Sequence, residues 1–283
     1  MKIIRTFATS ANLGPGFDSF GICLNLYNEY SFEIASSYEI KEFNERFSKP
    51  YNNLIIKSYE EVFKRLNKQI IPIKLIQVVQ NIPSSRGLGS SASCIVSGVM
   101  IANDILGNIL STDDIFQIAS SIEGHPDNVA PLIFGGLTCS FKNDVFHTIK
   151  FNCNEDFKFT VCIPSFELKT SVARSVLPKS ISMSDAVSNI SHSVALIKAL
   201  ESGDMELLKI SNVDKLHEEY RLPLIKGSDY FKKYAKSNNA TCMISGAGPT
   251  ILLISKESLN IKFDDWKIIE QSINNKGAYI YEK

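Results

Sequence analysis

Strand and helix signals interleave along this chain, which predicts a mixed fold of the α+β or α/β class. Two observations carry that expectation. Apolar runs bounded by turn residues alternate with runs near a 3.6-residue period, and the latter begin at Ser, Thr, Asp or Asn and stop at Gly. The chain is also 283 residues long and 44% hydrophobic, enough to bury a substantial core without covalent staples.

The elements follow in order. Residues 2–35 read as strands interrupted by a polar, glycine-bearing turn at Ser10–Gly21. Asn53–Asn67 has helical spacing at Leu54, Ile55, Val62, Phe63 and Leu66. Ile73–Ile82 is strand-like, and Ala92–Leu106 is an apolar helix that stops at Gly107. A third helix is expected from the caps around Ser111-Thr112-Asp113-Asp114 to Gly124. Gly135–Phe141 and Val145–Phe151 read as strands joined by Lys142-Asn143-Asp144. A boundary is expected around Asn152–Phe157, where polar residues break the apolar pattern, giving units 1–153 and 154–283. Beyond it come a strand at Phe159–Pro164, a long helix at Ser184–Leu200 capped by Ser184, and a shorter helix at Asp229–Ser237. Strands at Ala240–Ile244 and Thr250–Ser255 flank a second small-residue loop.

Composition excludes some function classes. Lys plus Arg and Asp plus Glu both number 30, which argues against a broad nucleic-acid or anionic-membrane footprint. The six cysteines form no C-x-x-C pair and read as buried, reduced thiols. No apolar run reaches the ~20 residues of a membrane span, and the N-terminus has no signal-peptide pattern. A cytoplasmic protein is expected.

The chemistry concentrates in Pro83–Ser93, P-S-S-R-G-L-G-S-S-A-S, placed where a strand hands over to a helix. Gly87 and Gly89 let backbone approach a ligand, and the helix start offers free N–H groups and partial positive charge. That is an anion site suited to phosphate. It lacks the G-x-x-x-x-G-K-[ST] lysine. Other segments are T-S-A-N-L-G-P-G-F-D at 9–18, E-G-H-P-D-N-V-A-P at 123–131, Thr170 and Arg174 in K-T-S-V-A-R, and S-G-A-G-P-T at 245–250.

In this order and spacing the set resembles the GHMP small-molecule kinases and, within them, the homoserine kinase branch. The resemblance covers nearly the whole chain. It implies ATP-dependent phosphorylation of the L-homoserine side-chain hydroxyl to O-phosphohomoserine, in threonine biosynthesis. It implies an N-terminal domain like ribosomal protein S5 domain 2, a ferredoxin-like C-terminal domain, a cleft between them, and a homodimer. ATP and Mg²⁺ are the expected cofactor set, with no nucleic-acid or membrane partner.

Residue by residue, the resemblance assigns Pro83, Arg86, Gly87, Leu88, Gly89, Ser90, Ser91 and Ala92 to ATP binding, with Gly87–Ser91 around its phosphates. Asn53 falls near the adenine, although it equally suits a helix cap. Arg86 has a solvent-facing alternative. Ser91 and Glu123 are the expected Mg²⁺ ligands, with Gln117 or Ser121 as alternatives to Glu123. On the substrate side, Asp18 matches the ammonium partner and Asn12 a further contact. Arg174 and Arg221 suit a carboxylate, because a guanidinium binds it bidentately. Thr170 shares a face with Arg174 if the segment is helical. His125 also lies in the substrate group.

Asn128 matches the residue that meets the reacting hydroxyl, so Asn128 and Ser91 are the candidate catalytic pair. An amide cannot take a proton at neutral pH, so catalysis by positioning and charge stabilisation is expected. Asp127 reads as turn-stabilising, with general base as the alternative. His147, His192 and His217 read as surface or core residues. The loop at 245–250 is expected to wall the site. Competing readings are a sister kinase acting on an alcohol such as mevalonate and a non-catalytic sensor of the same fold.

Overall fold

The computed structural model describes residues 1–283. A long antiparallel pair opens the chain: β1 (Lys2–Ala11) runs against β2 (Phe20–Ile34), with the polar turn between them. β3 (Glu39–Lys41), α1 (Leu54–Arg65) and β4 (Ile73–Gln80) follow. Next come α2 (Ser90–Ile105), α3 (Thr112–Glu123), α4 (Val129–Phe134), β5 (Leu137–Lys142) and β6 (Phe146–Phe151). The second half holds β7 (Lys158–Pro164), α5 (Thr170–Ser175), α6 (Met183–Ser202), α7 (Met205–Ser211), α8 (Glu218–Arg221) and α9 (Ser228–Ser237). It ends with β8 (Thr241–Ile244), β9 (Ile251–Ser255), β10 (Trp266–Gln271) and β11 (Tyr279–Glu282).

Two sheets result. The first has the order β11-β1-β2-β4-β3, with β5 on β2 and β6 on β5. The second is fully antiparallel with the order β10-β7-β9-β8. That order is the ferredoxin-like one, but the link from β9 to β10 is a loop where that motif carries its second helix. β11 pairs with β1 from Lys2↔Glu282 to Arg5↔Tyr279, so the end of the chain returns to the first sheet. A cut at 153/154 would therefore separate β11 from its own sheet.

Local chemistry sets the helix ends. Ser111 and Asp114 form a reciprocal capping box at α3, and Gly124 closes it with φ +88°. The long helix α6 starts earlier than its sequence suggests. Its cap is Ser182 in place of Ser184, because Ser182 Oγ accepts the N–H of Asp185. The short helices α4, α7 and α8 carry too few turns to show a period in sequence.

Three apolar clusters divide the interior. One packs α1–α4 against the first sheet, with Tyr59, Phe63, Val96 and Val99 sealed from solvent. A smaller one lies between the second sheet and α9, around Phe231 and Ile244. The remaining cluster joins Ala8, Leu13 and Ile22 of the first half to Phe159, Leu196 and Leu252 of the second. This shared core holds the two sheets as one body and fixes the seam at which the loops meet. No helix is long and apolar enough to cross a membrane.

Candidate active site

The seam opens into a cavity of about 190 Å³ lined mainly by polar and small residues. One wall is the loop before α2. Ser85, Gly87 and Gly89 all have positive φ, and Gly89 is the N-cap of α2. The glycines are required first by the protein itself. A Cβ on Gly87 would lie 2.3 Å from the Ser245 carbonyl, and one on Gly89 would lie 1.9 Å from Thr9 Oγ1. Close approach of backbone to backbone is what shapes the loop.

The opposite wall is Ser245–Thr250. Ser245 Oγ donates to the Gly87 carbonyl at 2.7 Å, and the Gly246 N–H donates to Ala11 O at 2.9 Å. Gly246 O in turn accepts from Asn12 Nδ2 at 2.9 Å. Gly246 and Ala247 line the cavity.

Most of the sequence-predicted residues converge here. Asn12, Gly87, Leu88, Gly89, Ser90, Ser91, Glu123, His125, Asn128, Thr170, Arg174 and Arg221 border one cavity. Leu88 is buried and contributes backbone; its carbonyl accepts from Thr9 N. Asp18 joins through Arg174, whose Nη2 and Nη1 reach the Asp18 carboxylate at 2.7 and 3.2 Å. Asn12 Oδ1 accepts the Asp18 N–H at 2.7 Å, and both residues have positive φ, so this turn is held by its own side chain. α5 places Thr170 and Arg174 one turn apart facing the cavity.

Three placements differ from the expected ATP-binding set, and Asn53 takes up its cap. Ala92 is fully buried in the helical core and borders no cavity. Pro83 faces a separate recess with Asn81 and Ile163. Arg86 borders the cavity, yet its guanidinium is spent on the carbonyls of Ser84, Pro164 and Ser165 and on Glu167. That makes it a brace between the loop and the end of β7, and it is not solvent-facing either. Asn53 caps α1 through Ile56 N and also lines an adjoining pocket of about 230 Å³.

That second pocket holds residues the sequence did not reveal. Glu42 accepts from Asn53 Nδ2 at 2.7 Å, and burial pushes its carboxyl up to about 7. Tyr30 and Gln77 stand beside it, bonded to each other at 3.0 Å. Ser90 and Ser91 border both pockets, so the two spaces form one groove divided at the start of α2.

Ser91 Oγ donates to Glu123 Oε2 at 2.7 Å, and burial raises the Glu123 carboxyl above its ordinary value. Gln117 is bonded through both amide atoms to the backbone of Phe146, and Ser121 to Ile118 O. Neither alternative donor faces the loop. Nowhere do three His, Cys, Asp or Glu side chains cluster as a ready metal cage. One carboxylate plus one hydroxyl, both hard oxygen donors, suits a cation completed by phosphate oxygens and water.

Asn128 follows the H-P-D-N turn. Its Oδ1 accepts from Thr9 Oγ1 at 2.7 Å and would lie 3.1 Å from a Cβ at residue 89. Asp127 is buried; its Oδ1 accepts the Asn128 N–H at 2.9 Å. Burial first, then the nearby Asp18 charge, lifts its carboxyl to about 7. His125 is held below its ordinary value by burial and by Arg174.

Arg221 is sealed at the base of the cavity. Nε donates to Ala173 O, and Nη1 to Gly246 O and His217 Nδ1. Phe17 covers both arginines, with Arg221 5.1 Å and Arg174 5.7 Å from its ring centre. Burial, then Arg174, lowers the Arg221 guanidinium to about 10, still charged at neutral pH.

Known proteins agree with this geometry. The GHMP kinases N terminal domain model matches residues 53–136. The homoserine kinase of Clostridium beijerinckii is 40% identical over 100% of this chain and 99% of its own length. The chain belongs to the homoserine kinase family. The crystal structure of the homoserine kinase from Cytophaga hutchinsonii superposes with a TM-score of 0.87 at 27% identity, covering 99% of this chain and 97% of that one. A mevalonate kinase structure superposes at 0.69 with 17% identity, covering 96% of this chain and 99% of that one, a likeness of fold alone. The fold is the GHMP kinase fold, and the homoserine kinase branch expected from the motifs is the correct one.

Glu218 lies behind the site, accepting the Ile244 N–H at 2.7 Å. Burial, reinforced by Asp214, pushes it up to about 7 against that N–H, Lys232 and Arg221. Its folded value lies above its unfolded one, so it contributes stability at low pH that is lost as pH rises from about 4.5 to about 7. Glu218→Gln keeps the acceptor without the charge. Urea midpoints should show the variant gaining on wild type by about 1–3 kcal/mol between pH 5 and pH 8. An equal or shrinking difference would refute the buried-charge reading.

Proposed function

We propose that this cleft transfers the γ-phosphoryl group of ATP to the side-chain hydroxyl of L-homoserine, giving O-phospho-L-homoserine and ADP. The observation that carries the reading is the Asp18–Arg174 pair, with Arg221 beneath it, facing the glycine loop across Asn128. An α-amino acid carries one ammonium and one carboxylate. It can replace each partner of that pair, ammonium on Asp18 and carboxylate on Arg174 and Arg221, without stranding a charge. Mevalonate has no ammonium to offer Asp18. Asn12, His125 and Thr170 border the same space and complete the substrate wall.

ATP lies along the groove, with its phosphates on the amides of Gly87–Ser91 and its base toward Asn53 and Glu42. The α2 N-terminus, itself free of acidic residues in its first turn, favours the triphosphate charge. Arg86 supports that loop from behind. Ser91 and Glu123 would hold Mg²⁺, which supplies positive charge to the β- and γ-phosphate oxygens. The hydroxyl oxygen attacks the γ-phosphorus as the bond to the bridging oxygen breaks and ADP leaves. Asn128 orients the hydroxyl, itself fixed by Thr9. The proton leaves late, to a phosphoryl oxygen.

Asp127 gives a second reading its only support, because its carboxyl lies near 7 and borders the cavity. Residues 1–153 with the returning strand 279–282 make one unit, carrying the ATP-side loop together with Asn12, Asp18, His125 and Asn128, and 154–278 make the second, which adds Thr170, Arg174 and Arg221.

Association into a homodimer has a candidate surface on α6. Met183, Val187, Ile190 and Val194 are 80%, 57%, 68% and 70% exposed, spaced four, three and four residues apart. The neighbouring exposed positions are Ser184, Ser191 and Lys198, so the apolar stripe itself carries no charge and a lysine marks its end. The buried side of α6 holds the substrate turn, with Asn189 and Ser193 both donating to Pro15 O.

Coupled ADP release with Mg·ATP should show turnover with homoserine and little with threonine, serine or mevalonate. Turnover with mevalonate alone would sink the assignment. In that assay Asn128→Ala should lower kcat by ~10²-fold or more, whereas Asp127→Asn should retain most activity. Loss of turnover in Asp127→Asn with homoserine binding intact would establish an aspartate base instead.

Glu123→Gln should raise the Mg²⁺ concentration for half-maximal rate several-fold, leaving the homoserine KM nearly unchanged. An unaltered Mg²⁺ titration would remove Glu123 from the metal site.

Light scattering should give twice the chain mass for wild type and the monomer mass for Ile190→Glu. A monomeric wild type, or a dimer that survives the substitution, would rule this face out.

A further inference from the structure

His217 is fully buried between the substrate turn and α8. Its Nε2 lies 2.9 Å from Gly14 O, and its Nδ1 lies 3.3 Å from Arg221 Nη1. A carbonyl only accepts, so Nε2 carries the hydrogen. A guanidinium only donates, so Nδ1 is bare. Both contacts are satisfied by one state alone: the neutral Nε2–H tautomer.

The surroundings hold the ring in that state and place. The charged groups around it are Asp214, with Oδ2 3.8 Å from Nε2, and Arg221. Asp214 is itself committed to the backbone N–H groups of Leu216, His217 and Glu218 and to Asn189 Nδ2. The substrate turn contributes backbone groups and the Phe17 ring, stacked at 5.3 Å. Asp18 on that turn is turned away onto Arg174. Burial and the Arg221 charge hold the imidazole below its ordinary value, against Asp214.

Arg221 has five N–H donors. Nε is used by Ala173 O, and Nη1 by Gly246 O and His217. Nη2 has no protein acceptor, and the residue borders the cavity. We propose that His217 is a positioning residue that, as the Nε2–H tautomer fixed by Gly14, accepts from Arg221 Nη1 and so aims the remaining guanidinium edge at the substrate carboxylate. The inference rests on the reading of Arg221 as carboxylate partner. It also ties that arginine to the turn carrying Asp18, so both ends of the amino acid are positioned by one contact chain.

Protonation of His217 would place a hydrogen on Nδ1 and a second cation against Arg221. Homoserine affinity should therefore fall at acid pH.

The test is steady-state kinetics on His217→Phe, His217→Asn and Arg221→Lys, with thermal melts alongside. Phe keeps the ring and its stacking but offers no acceptor. Asn restores an acceptor near the position of Nδ1. Expected for His217→Phe is a homoserine KM raised about tenfold or more, with kcat and the ATP KM within about threefold. His217→Asn should recover most of the loss and flatten the acid rise in homoserine KM expected of wild type. A His217→Phe enzyme with unchanged homoserine KM, alongside a raised KM in Arg221→Lys, overturns the inference and leaves the Arg221 reading standing. An unchanged KM in Arg221→Lys overturns both. If His217→Phe does not fold, His217→Asn decides: the same acid rise as wild type overturns the proposal, and its loss supports it.

Discussion

The site depends on two loops that meet backbone to backbone across the seam between the sheets. A Cβ on Gly87 would clash with the Ser245 and Gly248 carbonyls and one on Gly246 would crowd the Gly87 carbonyl, and Ser245 closes the contact through that same carbonyl. Asn12 and Arg221 then fasten the Gly246 carbonyl from the substrate side. The glycine loop before α2, the turn between β1 and β2 and the base of the cavity thus share a few hydrogen bonds. The apolar cluster running through both halves keeps them in register. Precise placement of two reactants is what phosphoryl transfer most needs, since there is little covalent chemistry for the protein to do.

Charge is managed by pairing. Asp18 and Arg174 neutralise each other at the mouth, and Arg221 is lodged deeper under Phe17. A partly exposed pair of this kind adds little to stability. Its consequence is local: it holds opposite charges at a fixed separation at the mouth of the cavity. The buried carboxylates Asp127, Glu218 and Glu42 are instead held near neutrality by desolvation, where each backs a loop or lines a pocket.

Much of this was legible in the chain, for reasons specific to each element. α3 announced itself by a capping box and a closing glycine, both local devices. The glycine loop was visible as a site, although the reason for its glycines was incomplete: they admit neighbouring protein backbone and not only a ligand. The segments 9–18, 123–131 and 245–250 were recognisable as motifs, and they do converge. Arg86, Pro83 and Ala92 were grouped with the phosphate loop by position in the chain. Their side chains point to a brace, a separate recess and the core. Glu42 carried no local signal, Thr9 and Phe17 no role beyond membership of their motif, and His217 only a surface-or-core reading, because the contacts that give each its place cross the fold.

Read along the chain alone, local patterns supplied the mixed α and β elements, the glycine loop before a helix, and the motifs whose order resembles one kinase family. These are encoded in local spacing, caps and turn residues, which act over a few positions. Only the tertiary structure decided which of those residues face one another. The return of β11 to β1, the pairing of Asp18 with Arg174, and the contact of Glu123 with Ser91 while Gln117 turns to Phe146 all depend on long-range packing. The direction of a side chain follows from what its helix or strand is pressed against, and no single segment contains that information.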